Sequence, residues 1–211
     1  MKTKTRRALA LLGALLPLAA YGETWRNHFD ADSAARPPGF FDTMVLGAPG
    51  RANWIVVADP NPPSTPNQLT QTVRDRPKGS IAAALRRNVA IQDGTVAVAL
   101  KKLPVVSGLV FRLTGDKDFL VLLLDGTSGE AILTAYRGGM PTELARGKAN
   151  LQNEWGNLKV TLARSAVSAT WNEAELLAGK DDKPASGRMG VATEGPGIAA
   201  FDELVIDDGK P

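Results

Sequence analysis

The feature that most limits what this chain can become is a succession of short apolar runs with a two-residue period, each closed by turn residues. In Thr95 to Leu100, Val96, Val98 and Leu100 alternate with small residues. In Leu109 to Thr114, Leu109, Phe111 and Leu113 fall on one side and Arg112 and Thr114 on the other. Asn157 to Ala163 sets Leu158, Val160 and Leu162 opposite Lys159 and Thr161, and Ala166 to Asn172 repeats the pattern with Val167, Ala169 and Trp171. Successive side chains of a strand point to opposite faces, so this period predicts strands with one buried face. Phe119 to Leu124 is apolar on both faces, which suits a central strand covered twice. Asp125 and Gly126 end that run in a turn, and Gly138, Gly139, Met140 and Pro141 end the next. The one helical candidate is Ser80 to Arg87, rich in Ala and Leu and flanked by Pro77, Lys78 and Gly79 before and Asn88 after; an edge strand is the other reading. Many strands without intervening helices predict an all-β, mostly antiparallel sandwich or barrel.

The N-terminus reads differently. Lys2, Lys4, Arg6 and Arg7 precede an apolar run from Ala8 to Ala20, and Ala20, Tyr21 and Gly22 make a small-x-small site. This is the pattern of a signal peptide over residues 1–22, leaving 23–211 as a single domain that is periplasmic or secreted. The apolar run is shorter than the roughly 20 residues that a membrane span needs. The leader holds four of the 25 basic residues, so 21 remain against 22 acids, a net charge of about −1. No basic excess is left to neutralise phosphates, which excludes nucleic acid as a partner. The chain has no Cys. At 189 residues the domain is long enough to hold together by packing, and the small disulfide scaffolds are excluded. No repeat or linker divides it, and the Pro-rich segment Asp59 to Asn67 reads as one long loop between strands.

Catalytic chemistry finds little support. Glycosidases need two carboxyl groups facing one sugar across a set gap, and jelly-roll glucanases carry them on a Glu-x-Asp-x-Glu or Glu-x-Asp-x-x-Glu strand. No such strand occurs here; Asp202, Glu203, Asp207 and Asp208 have other spacings and read as a strand end with a solvated tail. With His28 the only His and no Cys, neither a His-rich zinc site nor a Cys-His nucleophile can be built. No Gly-x-Ser-x-Gly elbow supports a triad through His28, which reads as a strand residue. No cofactor is expected. The one metal to consider is Ca²⁺ on the oxygens of Asp30, Asp32 or Asp202, whose spacing matches no dedicated loop.

Several stretches, in order, resemble one family. They are Pro37-Pro38-Gly39-Phe40; Trp54 to Pro60 with Pro63 to Gln71; Gly108 to Arg112; Glu154-Trp155 leading to Leu158-Lys159-Val160; Gly187 to Val191; and Phe201 to Leu204. Together these resemble the concanavalin A-like (LamG-like) domains of bacterial exported proteins grouped with the 3-keto-disaccharide hydrolase or DUF1080 family. The resemblance covers most of the chain after the leader and implies a two-sheet jelly roll, with one sheet curved into a face that binds glycans in relatives. Some of those relatives are hydrolases of keto-sugars. This chain departs from the pattern with Leu122, Leu123 and Leu124, where a polar or basic residue is frequent, and with Asn172-Glu173 in place of an Asn-Gly turn.

A glycan site asks for an aromatic platform and a few aimed polar groups in a concavity. The candidates are Trp54, Gln71, Arg112, Asp125 and Tyr136, with Thr134 on the same strand face as Tyr136. Each has a structural alternative: Trp54 as a core plug, Arg112 as the partner of an acid, Asp125 as the holder of its turn. Trp155 and Trp171 lie in phase with apolar neighbours or at a strand start and read as core. Three functions are expected in order: non-catalytic carbohydrate binding, hydrolysis of glycosidic bonds, and protein interaction through an exposed Leu120 to Leu124 face.

Overall fold

The computed structural model describes residues 22–210, so all of the expected leader except Gly22 lies outside the described residues. The rest folds as two antiparallel sheets. Sheet A holds β1 (Thr24–Asn27), β3 (Trp54–Ala58), β4 (Asn67–Gln71), β6 (Gly94–Lys101), β11 (Trp155–Ala163), β12 (Ala166–Trp171), β13 (Ala174–Lys180) and β15 (Ala199–Asp207). Its order is β13-β12-β11-β6-β15-β4-β3, with β1 also pairing β15. Sheet B runs β10-β9-β8-β7-β14-β5-β2, made of β2 (Phe41–Gly47), β5 (Ser80–Ile91), β7 (Val106–Gly115), β8 (Asp118–Asp125), β9 (Glu130–Arg137), β10 (Met140–Lys148) and β14 (Gly187–Glu194). This is the expected jelly-roll β-sandwich. Between β9 and β10, Gly138 and Gly139 take φ of 58° and 83°, the left-handed pair that a two-residue hairpin requires.

The two-residue period becomes two apolar clusters. Between the sheets, Leu109, Phe111, Leu120, Leu122, Leu124 and Leu133 of sheet B meet Trp54, Leu69, Val98, Val160, Phe201 and Leu204 of sheet A. Sheet B carries a second cluster on its other face: Leu46, Ile81, Leu85, Val110, Phe119, Val121 and Leu123. Strand β8 is therefore buried on both sides, as its unbroken apolar run requires.

Ser80 to Arg87 is strand, which corrects the helical reading. Residues 80–91 pair β2 on one side and β14 on the other, so β5 is not an edge strand either. Ala82 and Ala84 fill the inter-sheet core while Ile81, Ala83 and Leu85 face outward. Two ladders of backbone hydrogen bonds outweigh the helix propensity of alanine. His28 lies one residue beyond β1 and is exposed, its carbonyl accepting from Ser64 Oγ at 3.2 Å.

A second correction concerns β7. Arg112 has φ of 50°, and the pairing with β8 slips between Phe111 and Gly115. The bulge moves Leu113 into the outer cluster, away from Leu109 and Phe111. It also turns the Arg112 side chain, 1% exposed, into the protein. There Nη1 donates to Asp181 Oδ2 at 2.9 Å, Nε and Nη2 donate to Gln92 O, and Nη2 also reaches Arg164 O. Asp181, equally buried, accepts from Arg137 Nη2 at 2.6 Å and from Lys183 N at 3.0 Å. Burial alone would raise the Asp181 carboxyl; the Lys183 amide and the two guanidiniums outweigh it and hold the group below its ordinary range.

Asp202 is the opposite case, and it corrects the reading of its cluster as a solvated end. It is fully buried. The loop at 59–66 folds over it, Ser64 donating from N at 2.7 Å and from Oγ at 3.0 Å, and Glu203 N donates at 2.7 Å. Burial dominates these hydrogen bonds and pushes its carboxyl up to about 6.

Arg112→Ala leaves Asp181 buried with one guanidinium instead of two, and is expected to cost about 3–5 kcal/mol in urea unfolding; a loss under about 1 kcal/mol would show that Arg137 alone compensates the charge. For Asp202 the folded state keeps a proton that the unfolded chain releases near its ordinary value of 3.8. Its contribution to stability is thus full below about pH 4 and lost as the pH rises through about 6, roughly 3 kcal/mol in all. Urea midpoints of Asp202→Asn and the parent protein are expected to lie close together near pH 4, where the amide mimics the protonated carboxyl, and to separate towards pH 7 as the parent alone loses stability; parallel curves would refute the raised value.

Candidate functional site

The five sequence candidates are not gathered in one place. Trp54 is 2% exposed and packs on Phe201 at 5.6 Å between ring centroids. Gln71 is fully buried, its amide closing a local loop by donating to Val73 O and accepting from Val73 N. Arg112 is spent on Asp181 and on two carbonyl groups. The remaining two, Asp125 and Tyr136, share the outer face of sheet B.

That face is assembled from alternate residues of neighbouring strands. From β9 come Glu130, Ile132, Thr134 and Tyr136; from β8, Phe119, Val121, Leu123 and Asp125; from β7, Val106; and from β14, Glu194. Leu46 and Gly47, on the far edge strand β2, line one cleft of 360 Å³ together with Lys117 and Tyr136, so the sheet is curled about this face. The Tyr136 ring stacks on Phe119, centroids 4.4 Å apart. Burial, with the Glu194 carboxylate nearby, pushes its phenol up. The middle of the groove is apolar, and polarity is confined to its ends.

At one end, Asp125, Glu130, Thr134 and Glu194 stand around Val106, Leu123 and Ile132 in a cleft of 200 Å³. It is continuous, through Val106, Asp125 and Glu194, with a space of 370 Å³ towards Lys78 and Pro196. Each acid is held through one oxygen. Asp125 Oδ1 accepts from Thr127 N at 2.7 Å and Ser128 N at 3.2 Å, Glu194 Oε1 accepts from Gly79 N at 3.0 Å, and Glu130 Oε1 pairs with Arg146. Among the described residues the second oxygens of Glu130 and Glu194 accept no hydrogen bond, so the cleft offers aimed acceptors over an apolar floor. The Thr127 amide holds Asp125 below the ordinary carboxylate range, which makes it an acceptor and not a proton donor. Along the outer face of β8, Phe119, Val121 and Leu123 stand before Asp125 is reached, so no acid lies in the middle of the groove.

Glu130, Glu194 and Lys78 were not among the sequence candidates. Glu130 continues the two-residue period of Thr134 and Tyr136 and was open to that argument. Glu194 reaches the cleft only because β14 pairs β7, a contact that no local pattern announces.

The acids weighed for Ca²⁺ are engaged by the protein itself. Asp30 Oδ1 accepts from Asn67 N, Asp32 Oδ1 from Gly39 N, and Asp202 from Ser64 and Glu203. The Asn67 amide donates to the carbonyls of Phe29, Asp30 and Asp32 at 3.1–3.4 Å, filling the space among them. Among the described residues no three His, Cys, Asp or Glu side chains converge as metal ligands, and no helix is long and apolar enough to cross a membrane.

No family model matches the chain, and no curated protein does. Solved structures do. A carbohydrate-binding module from Bacillus subtilis superimposes with a TM-score of 0.54 at 15% identity, over 72% of this chain and 94% of that one. A Bacillus subtilis protein of unknown function with a galectin-like fold gives a TM-score of 0.59 at 15% identity, over 87% and 94%. A β-glucanase from Bacillus licheniformis gives 0.54 at 12%, over 88% and 98%. At these identities the likeness is one of fold, and the fold is the concanavalin A-like jelly roll.

Proposed function

We propose that the protein is an exported carbohydrate-binding domain without catalytic activity, and that the acid-rimmed end of the sheet B groove is where a glycan sits. The observation that carries this reading is the pairing of three oriented acceptors, Asp125, Glu130 and Glu194, with the apolar floor of Val106, Leu123 and Ile132. Hydroxyl groups of a sugar donate to the free carboxylate oxygens and to Thr134, while the C–H face of the ring lies on the floor. A carbohydrate-binding module among the similar folds supports the choice. So does the leader expected from residues 1–22, which would deliver the domain to the periplasm or beyond.

A second reading, glycoside hydrolysis, has one observation in its favour: three carboxyl groups around one cleft. Against it, the centre of the groove offers Phe119, Val121 and Leu123 where an acid and a base would have to face a sugar. Interaction through an exposed Leu120 to Leu124 face loses its basis, because that run is buried on both sides.

Glycan arrays followed by calorimetry, with mass spectrometry on the same mixtures, test the proposal. Glu194→Gln and Thr134→Ala are each expected to weaken a bound glycan by about three- to tenfold, as loss of one hydrogen bond does, with no product formed. Turnover abolished by Glu194→Gln or Glu130→Gln would replace the leading reading with the hydrolase.

A further inference from the structure

A second cleft, of 380 Å³, lies between the loop that joins β10 to β11 and the hairpin that joins β12 to β13, and it shares no lining residue with the groove on sheet B. Its size falls within the range of about 300–1,000 Å³ typical of small-molecule sites. One wall is the edge of Trp171. The indole Nε1 donates to Asn150 O at 3.1 Å, and the ring lies so close over Gly156 that a Cβ there would be 2.0 Å from it. The wall is therefore fixed, and it ties the Asn150 loop to β12.

Around that wall stand four amide side chains: Asn150, Gln152, Asn153 and Asn172. Asn172, at φ of 48° in the hairpin turn, accepts from Asn157 N at 2.7 Å through Oδ1. Among the described residues, the amides of Asn150, Gln152 and Asn153 have no hydrogen-bond partner. The two charged lining residues, Lys148 and Glu175, are opposite in sign and are not paired with each other. Amides on a loop tip are ordinarily just solvated. Here four of them line one cleft beside a fixed aromatic wall, and those of Asn150, Gln152 and Asn153 each offer a donor and an acceptor side by side, as neighbouring hydroxyls of a sugar require.

We infer that this cleft is a second carbohydrate site, one that takes an uncharged sugar chain. The amides hydrogen-bond its hydroxyl groups and the edge of Trp171 packs against a ring. The chemistry differs from that of the sheet B groove, where carboxylates supply acceptors only. It goes beyond that reading and stands on different residues, so either can fail alone.

The test follows backbone amide resonances of the isotope-labelled protein during titration with neutral gluco-, arabino- and fructo-oligosaccharides, and with a uronic acid oligosaccharide as a charged comparator. Saturable shifts are expected at residues 148–153 and 172–176 with at least one neutral chain. The double substitution Gln152→Ala, Asn153→Ala is expected to weaken them at least about tenfold, with the melting temperature and the response at Asp125, Thr134 and Glu194 unchanged. The inference is overturned if no neutral sugar moves these resonances, if the double substitution leaves the affinity as it was, or if the uronic acid chain binds more tightly there. Shifts confined to Asp125, Thr134 and Glu194 would overturn it and keep the groove on sheet B; shifts confined to the amide cleft would do the reverse.

Discussion

Sheet B has to bury apolar side chains on both of its faces, and much of what sets this molecule apart follows from that requirement. The inner face of β8 supplies Leu120, Leu122 and Leu124 to the space between the sheets, and its outer face supplies Phe119, Val121 and Leu123 to a second cluster. A strand so built cannot also present polar groups at mid-length, because a carboxyl group among those side chains would lose its hydration with nothing to replace it. Polar chemistry is displaced to the strand ends, where Asp125, Glu130 and Glu194 can be oriented by turn amides and a guanidinium while keeping one oxygen towards solvent.

Two fully buried carboxylates show how the surroundings decide protonation. Asp181 is met by two guanidiniums, so its charge is compensated where it lies. Asp202 is met only by neutral donors, the amides of Ser64 and Glu203 and the Ser64 hydroxyl, and desolvation prevails. The contrast has a topological origin. Asp181 follows β13 at an end of the sandwich where β7, β9 and two turns converge, whereas Asp202 lies under a loop rich in proline, which contributes few donors and no cation.

Much of this architecture was legible in the residues. The period of two in β6, β11 and β12, the double-faced run of β8 and the glycine pair before Met140 each specify their element by local chemistry. The bulge at Arg112 was not legible, since it is fixed by an ion pair with a residue 69 positions away. Nor was β5: its alanines favour a helix in isolation, and only the strands on both sides make it extended. The site divides in the same way. Asp125, Thr134 and Tyr136 belong to strands whose facing could be read, whereas Glu194 is brought in by non-local pairing. The amide cleft was hidden by a correct observation about packing: Trp171 is in phase with the core, and its edge nevertheless walls a cleft because the Asn150 loop passes beside it.

The outermost strand of sheet B carries one further consequence. Pro141 on β10 has no N–H to offer a neighbour, and Glu143, Arg146 and Lys148 line the same strand with exposed charge. Past the register slip at Glu143, the strand comes so close to β13 that a side chain at Gly147 would meet the carbonyl of Leu176 at 2.0 Å. Open strand edges are the usual templates on which sheet proteins add to one another. At this border one edge leans on the other and the charge is turned outward, so a second copy finds little free backbone to extend, and the sandwich is guarded against fibre-like growth at the side where its two sheets come together.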